Sequence, residues 1–516
     1  MGNIYTDKDD IKKSSTALFG QRFYSDQGSL ELLSELLLVC FSNKRIDDIE
    51  KTDLIPQYTD LSSINNFEYQ PIYRLKLKLF ALFNNRSGDL EVPALSNEYK
   101  EIRTSLKNKI EDAPESADRY IDIIRELYKG FQAVGNNRDW CAQSFLPICK
   151  EMIAGESIWK NTDAKKCTSK QLDNIDDVKK LFAHDKHDFY ARGGEVLYLQ
   201  LFSALNHSKE DVQNWLADKD NPFYGITLRS KEKDPEYLRT SLNKLIASFY
   251  EKSVPEFFSS FINDEFEDGF LERDKDSFMQ LKCIPEGTWY YGYIFAVELV
   301  RLMRSSLDII DMLKMLELEC SMHLIRTLLG RSSECLELPY PLIPVVSPDC
   351  DNMTYKIISS DLFKYCQCII RSALIKKGKE LNDDVQNRDH TYYGYKLFQK
   401  VAKAINFVIP PKGPDAHFII TKELIVLLVS TTLIPGKELI TYDEFLADIK
   451  TRFGIVVDSD GFTNANKQLK KSQRISDSEI DKWFIRMLDE CNYYVNLSDS
   501  LSLVKNTNVM VGGDDE

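Results

Sequence analysis

Residues 290–329 of the chain are YYGYIFAVELVRLMRSSLDIIDMLKMLELECSMHLIRTLL, and no other stretch has so long a helical pattern. Apolar side chains fill most of this stretch. Charged residues that interrupt it include Arg301, Arg304, Asp308, Asp311 and Lys314. Because an amphipathic helix turns its charged side chains toward water, the pattern predicts a pair of core helices with these residues on the wetter face.

Further helical patterns lie on the amino-terminal side of this pair. Residues 30–41, LELLSELLLVCF, are rich in strong helix formers and too long for an average strand, so they predict a buried helix. Patterns bounded by Gly, Pro, Asn or Asp predict helices over 72–83, 120–134, 195–205 and 238–250. Since no repeat of fixed period is visible, the expected fold class is mainly α, an irregular multi-helical protein.

Two proline-rich stretches divide the chain. LPYPLIPVVSP at 338–348 has four prolines, and IPPKGP at 409–414 has three prolines and a glycine, so neither continues a helix. We therefore expect four units along the sequence. They are an N-terminal helical domain (1–155), a central helical domain (156–337), a Pro-bounded helical connector (338–414) and a C-terminal domain (415–516).

The C-terminal unit has the pattern of a winged-helix-like α+β domain. Helices are expected over 421–433 and 441–453, and a third over 476–490 begins with Ser476 and Glu479, a pair typical of a capping box. The β-rich sequence at 492–504 predicts a hairpin. Three helices followed by a hairpin is the winged-helix order.

The charge of the third helix indicates how such a domain would contact DNA. Winged helices place their third helix in the major groove, yet residues 476–490 hold five acids against Lys482 and Arg486, which disfavours base readout. The preceding segment has four cations and no acid, as a phosphate-contacting loop would. The nucleic-acid candidates are therefore Lys467, Lys470, Lys471 and Arg474. A solvated basic loop on a domain used for protein contacts is the alternative.

Composition restricts the class of protein. The 516 residues are 43% apolar and 28% charged, which is typical of a folded chain. The net charge of -14 argues against binding nucleic acid through overall charge, so any DNA contact is expected to be local. The polar start, the absence of an apolar run long enough for a bilayer and eleven scattered cysteines predict a cytoplasmic protein with reduced thiols, no membrane association and no cofactor.

One cluster of ionisable residues has the composition of a metal site. His184 and His187 are three residues apart, and Asp188 or Glu195 would add an oxygen ligand, so a bound ion would activate water for hydrolysis. No third ligand follows at a diagnostic spacing, and His/Asp pairs commonly cap helices or lie in solvated turns. No catalytic signature is present, so an enzyme is only the alternative expectation.

Arg192, Gly193 and Gly194 directly precede the helix predicted from Glu195. Two glycines permit a sharp turn, and the free amides at a helix start bind anions, here with help from Arg192. The competing interpretation is an internal ion pair between Arg192 and Glu195 that fixes the turn.

Residues 18–27 form a second candidate contact segment, because Arg22, Phe23 and Tyr24 are the residue types that anchor protein interfaces. The same residues equally suit a strap folded over its own domain.

Several segments resemble known proteins. They are LFGQRFYSDQ (18–27), NRDWCAQSFLPIC (137–149), FYARGGEVLYL (189–199) and the tail segments FIITKELIVLL, FLADIKTRFGIVV and NLSDSLSLV. These resemble accessory subunits encoded in multi-gene prokaryotic anti-phage defence and DNA-modification loci. The resemblance implies a helical, non-motor subunit working beside an ATPase, a nuclease or a methyltransferase, and it implies no catalytic residue.

The leading hypothesis is a non-catalytic scaffold or adaptor subunit of a multi-protein DNA-targeting complex, with phosphate contacts in its C-terminal domain. Two alternatives remain open. One is a metal-dependent hydrolase or nuclease using the histidine cluster, and the other is a pure protein-interaction subunit.

Overall fold

A computed structural model gives the structure of the chain. It describes residues 13–20, 28–71, 73–75, 97, 100–101, 104, 140–141, 146–150, 153–155, 157–159, 182–183, 193–252, 271–272, 278–281, 287–382, 394–433, 439–472, 474–477, 479–498 and 501–508.

Helices dominate the described residues, which confirms the mainly α class. The α-helices are α1 (Ser14–Phe19), α2 (Ser29–Phe41), α3 (Gly193–Ala204), α4 (Lys209–Ala217), α5 (Pro235–Lys252), α6 (Trp289–Met303), α7 (Ile309–Cys335), α8 (Met353–Glu380), α9 (Lys396–Ala404), α10 (Lys422–Thr432), α11 (Tyr442–Phe453), α12 (Ser459–Gln468) and α13 (Lys482–Glu490).

The strands are short. They are β1 (Asn43–Ile46), β2 (Ile49–Lys51), β3 (Phe67–Gln70), β4 (Tyr73–Leu75), β5 (Trp140–Cys141), β6 (Ala154–Gly155), β7 (Ser157–Trp159), β8 (Phe182–Ala183), β9 (Leu271–Glu272), β10 (Met279–Gln280), β11 (Ile343–Pro344), β12 (Val408–Ile409), β13 (His417–Phe418), β14 (Leu439–Thr441), β15 (Ile455–Val456), β16 (Tyr494–Ser498) and β17 (Leu501–Lys505).

Helix α3 is the innermost helix, because every one of its residues is buried. It packs against α2 on one side and α6 on the other, and α7 contacts both α2 and α6. The crossing of α3 and α6 is close because Gly292 has no side chain. A Cβ atom there would lie 2.2 Å from the carbonyl oxygen of Gln200.

The predicted core helix pair is confirmed as α6 and α7. Asp308 caps α7 by accepting hydrogen bonds from the amides of Ile310 and Asp311. The expectation for Arg301 was wrong, since its side chain is only 2% exposed. Glu232 explains this difference, because it forms an ion pair of 2.7 Å with Arg301 inside the protein and so compensates the buried charge.

Three of the other helix predictions are confirmed by α2, α3 and α5. The helix expected over 72–83 was wrong at its start, where β4 pairs with β6 and β9. The sequence YRLKLKLF at 73–80 alternates apolar and basic residues, which is the period of a strand. The helix expected over 120–134 lies outside the described residues.

Small sheets surround the amino-terminal helices. The largest has the order β10-β3-β1-β2 and is antiparallel throughout. Two more have the orders β6-β4-β9 and β5-β7-β8. The prediction that 338–348 does not continue a helix is confirmed. Strand β11 lies in this stretch and pairs in parallel with β15, which joins it to the C-terminal residues.

The C-terminal residues form α10, β14, α11, β15, α12 and α13, followed by the hairpin β16–β17. The first two predicted helices and the hairpin are confirmed, and Thr421 and Thr441 cap α10 and α11. Strand β14 pairs with β17, so the sheet order is β14-β17-β16. The third helix begins at Lys482 and not at 476, and α12 was not predicted.

One hydrophobic core runs through the described chain from Leu18 to Val504 and includes residues of all four predicted units. It passes from α2 through α3, α6 and α7 to α9, α10 and α11. Among the described residues, no helix combines the length and the apolar character that crossing a bilayer requires.

Candidate nucleic-acid interface

The predicted phosphate-binding residues lie together on one turn, residues 467–474, which we call the basic turn. It begins in the last turn of α12. Lys470 adopts a left-handed conformation (φ 58°), and the amide of Lys471 donates to the carbonyl of Asn466 at 2.9 Å, which closes the helix end. All four predicted cations of the turn have exposed side chains.

Side-chain hydrogen bonds fix both ends of the basic turn. Gln468 donates from Nε2 to the carbonyl of Tyr340 at 3.1 Å and accepts from the amide of Leu342 at 2.9 Å. Thr463 accepts from the amide of Ile475 at 3.0 Å and donates to its carbonyl at 3.3 Å. The turn is therefore held against the proline-rich stretch and against its own helix.

Helix α8 lies beside the basic turn. Lys471 Nζ is 2.6 Å from Asp361 Oδ2, and Lys364 Nζ is 3.6 Å from the other oxygen of the same carboxylate. Tyr355 donates its hydroxyl hydrogen to Asp477 at 2.6 Å. Desolvation and this hydrogen bond raise the pKa of Tyr355 to about 12. Two polar contacts thus join α8 to the segment 467–477.

Helix α13 is less acidic than its predicted counterpart. Three of the five acids counted over 476–490 precede it, at 477, 479 and 481. Asp481 accepts from the hydroxyl of Tyr442 at 3.0 Å, and Glu479 pairs with Lys482 at 2.5 Å. The helix itself has two cations and two acids, so its formal charge is zero.

The predicted capping box at Ser476 and Glu479 was wrong. Glu479 instead lies in a turn before α13, whose N-cap residue Asp481 makes no side-chain capping bond.

The two glycines at the start of α3 face a carboxylate of the same chain. The amide of Gly194 donates to Glu35 Oε2 at 2.6 Å, and both residues are buried. A Cβ on Gly194 would lie 2.5 Å from the carbonyl oxygen of Leu32, so glycine permits the close approach of α2. Gly193 begins α3, and an internal carboxylate stands at its first turn.

The proposed metal ligands lie mostly beyond the described chain. His184, His187, Asp188 and Arg192 are outside the described residues, as are Arg22, Phe23 and Tyr24. Glu195 is described. It is fully buried and accepts from the hydroxyl of Tyr69 at 2.7 Å. Within the described ranges, no group of three potential ligands lies close enough to hold a metal ion.

A buried ionic network was missed by the sequence reasoning. Glu298 on α6 accepts two hydrogen bonds from Arg326 on α7, at 2.8 and 2.6 Å. Its Oε1 also accepts from Arg452 on α11 at 3.3 Å, and Arg452 donates from Nε to Asp448 at 2.6 Å. The network therefore joins the two central helices to the C-terminal residues.

His323 and Glu319 complete this network from α7. Arg326 lies 2.8 Å from Nδ1 of His323, so the ring accepts there and donates from Nε2 to Gln200 at 2.7 Å. Burial and the neighbouring Arg326 hold the pKa of His323 well below its usual range. Burial and the neighbouring Glu298 raise the pKa of Glu319 well above its usual range, which favours the neutral form of its carboxyl.

The sequence held a signal for the network. Glu319, His323 and Arg326 are spaced by four and three residues inside an apolar helical run, which puts them on one helix face. That face meets Glu298 of α6 and Gln200 of α3, and spacing alone does not reveal these contacts. Because these groups are fully enclosed, the network offers no reactive surface.

Comparisons with protein-family models, with curated proteins and with solved structures gave no match.

Proposed function

We propose that this chain is a non-catalytic adaptor subunit of a multi-protein DNA-targeting complex and that it contacts DNA phosphate through the basic turn. The observation that carries the proposal is the exposure of Lys467, Lys470, Lys471 and Arg474 on a turn that is fixed at both ends. A rigid group of cations binds a phosphate backbone without first losing conformational freedom.

The order of the C-terminal elements supports a winged-helix domain as the frame of this contact. Helix α10, strand β14, helix α11, helix α13 and the hairpin follow one another, and β14 pairs with β17 in the centre of the sheet. In this assignment, α12 and the basic turn are an insertion between the second and third helices. Phosphate contact then comes from the insertion, and α13, with its formal charge of zero, does not read bases.

The burial of ionisable side chains that could otherwise take part in catalysis supports the adaptor role. Glu319, whose pKa is raised well above its usual range, lies in the buried network, where no substrate reaches it. A cytoplasmic complex with an ATPase, nuclease or methyltransferase of an anti-phage defence locus is the setting that the sequence resemblance implies. Such partners would supply the chemistry.

Exposed apolar residues favour a second function, that of a subunit which only binds proteins. Met353 is 65% exposed and Ile357 is 50% exposed, one turn apart on α8, and Leu439 and Leu497 are each 59% exposed. Side chains of this kind are usually covered in a complex. This alternative shares the adaptor role and differs in having no DNA contact.

Binding of a fluorescent DNA duplex to the purified protein tests the phosphate contact. We expect replacement of Lys467, Lys470, Lys471 and Arg474 by Gln to weaken binding at least tenfold at low salt, because four cations are removed. Replacement of the exposed Lys209, Lys219, Lys233 and Lys244 by Gln is the matched control, since it changes the net charge equally. Equal binding by both variants would contradict the contact.

A tagged pull-down from the native host, with and without nuclease treatment, tests the adaptor role. Protein partners that survive nuclease treatment are the expected result. Recovery of the chain alone in both samples would contradict it.

A further inference from the structure

The exposed face of α8 is unusually basic. The helix has 28 residues, with six cations and two acids, and so a formal charge of +4 in a chain whose net charge is -14. Its cations are Lys356, Lys364, Arg371, Lys376, Lys377 and Lys379. A single helix therefore concentrates positive charge against the overall balance of the protein.

Three of these cations share the solvent face of the helix. Lys364, Arg371 and Lys379 are exposed, and their spacing of seven and eight residues returns to nearly the same side after two turns. Asp361 is the acid on this face, and it lies close to Lys364 and Lys471. Arg371 and Lys379 make no ion pair with any described residue.

The basic turn continues this face. The ion pair between Lys471 and Asp361 and the hydrogen bond between Tyr355 and Asp477 place residues 467–477 alongside the first half of α8. From Asp361 the helix runs a further 18 residues to Lys379, which is about 27 Å at the rise of an α-helix. The two segments thus form one surface, and its positive charge extends well beyond the turn.

We infer that α8 and the basic turn form a single track for the backbone of duplex DNA, in which Arg371 and Lys379 bind phosphates distant from the turn. This inference rests on the proposed function. A straight, rigid row of cations suits the regular charge of a duplex. The exposed residues of the α8 face include no aromatic side chain, whereas single-strand sites use aromatic rings to stack bases.

The test is the salt dependence of duplex binding by the full chain, compared between wild type and Arg371→Gln/Lys379→Gln. Loss of two phosphate contacts lowers the magnitude of the negative slope of log affinity against log salt by about 1.8. Both side chains are exposed, so the thermal midpoint is expected to stay unchanged. Lys219→Gln/Lys244→Gln is the matched control, because it removes two exposed lysines from other elements and is expected to keep the wild-type slope.

Three results would overturn the inference in distinguishable ways. The first result is a wild-type slope for the α8 variant together with weaker binding by the variant of the basic turn. It would show that the DNA contact ends at the turn, and the proposed function would stand. Tighter binding of single-stranded than of duplex DNA would show that this surface does not bind duplex DNA preferentially. If neither variant differed from wild type, both the track and the proposed function would fail.

Discussion

Arg326 and Glu298 form a two-point ion pair between α7 and α6, with hydrogen bonds of 2.8 and 2.6 Å, and both side chains are at most 1% exposed. Arg452 reaches the same carboxylate from α11. Because a buried charge is costly without a partner, the position of the C-terminal helices relative to the core is tied to this carboxylate. The basic turn begins at the end of α12, shortly after α11 in the chain, so its position relative to the core depends on the same ion pairs.

Removing one partner of this network should destabilise the whole fold. Arg452→Met leaves Asp448 and Glu298 buried without one of their cations, and we expect a loss of about 3–5 kcal/mol in the free energy of unfolding. Lys450→Met, at an exposed position on the same helix, is the control and should change it by about 0.5 kcal/mol or less. Urea denaturation measures both, and similar losses would show that the network does not stabilise the fold.

The raised pKa of Glu319 should make stability depend on pH. Burial and Glu298 raise its pKa in the folded protein, so the folded state binds more protons than the unfolded state above the ordinary glutamate pKa. Its contribution to stability is therefore complete at low pH and is lost as the pH rises.

Glu319→Gln lacks this titration. As the pH rises above the ordinary glutamate pKa of about 4.3, we expect the stability of the variant relative to wild type to increase by up to about 1.4 kcal/mol per pH unit. Denaturation at several pH values measures the difference, with the exposed Glu210→Gln as control. Parallel pH profiles of Glu319→Gln and wild type would contradict the raised pKa of the buried carboxyl.

Gly194→Ala should force α2 and α3 apart. The added Cβ would lie 2.5 Å from the carbonyl oxygen of Leu32, which belongs to the backbone and has little room to move. We expect a loss of about 2–3 kcal/mol. At Gly28 the nearest contact of an added Cβ is 3.7 Å, so Gly28→Ala should cost only about 0.5 kcal/mol. Thermal unfolding compares the two, and equal losses would mean that the helix crossing adapts.

Much of the helical fold follows from the sequence, and particular contacts explain the rest. The core helix pair, α2 and the caps Thr421 and Thr441 were predictable because apolar spacing and capping residues act locally. The start of α13 was not, because Asp477 is engaged by Tyr355 of α8 and the helix begins only after Asp481.

The candidate site was predictable in part. The four cations of the basic turn were identified from their charge, whereas the contribution of α8 depends on the ion pair between Lys471 and Asp361, two residues more than 100 positions apart. Local patterns carry no information on such a pairing. The burial of Arg301 has the same cause, since Glu232 is far away in sequence.

Asp361 should weaken DNA binding. Its carboxylate is 2.6 Å from Lys471 and competes with phosphate for that cation. We expect Asp361→Asn to raise the affinity for a duplex several-fold and to steepen the salt slope by about 0.9, because one more cation meets phosphate. Fluorescence anisotropy measures both, and Asp220→Asn, at an exposed site on another element, is the control. A lower affinity for Asp361→Asn would mean that the ion pair positions the basic turn for binding.

The phosphate contact is tested by the affinity of the purified chain for duplex DNA across a series of salt concentrations, with and without the four cations of the basic turn. We expect the magnitude of the negative slope to fall by about 2.7 when Lys467, Lys470, Lys471 and Arg474 become Gln, at 0.9 for each of the three cations outside the ion pair of Lys471 with Asp361. A wild-type slope retained by that variant would contradict it.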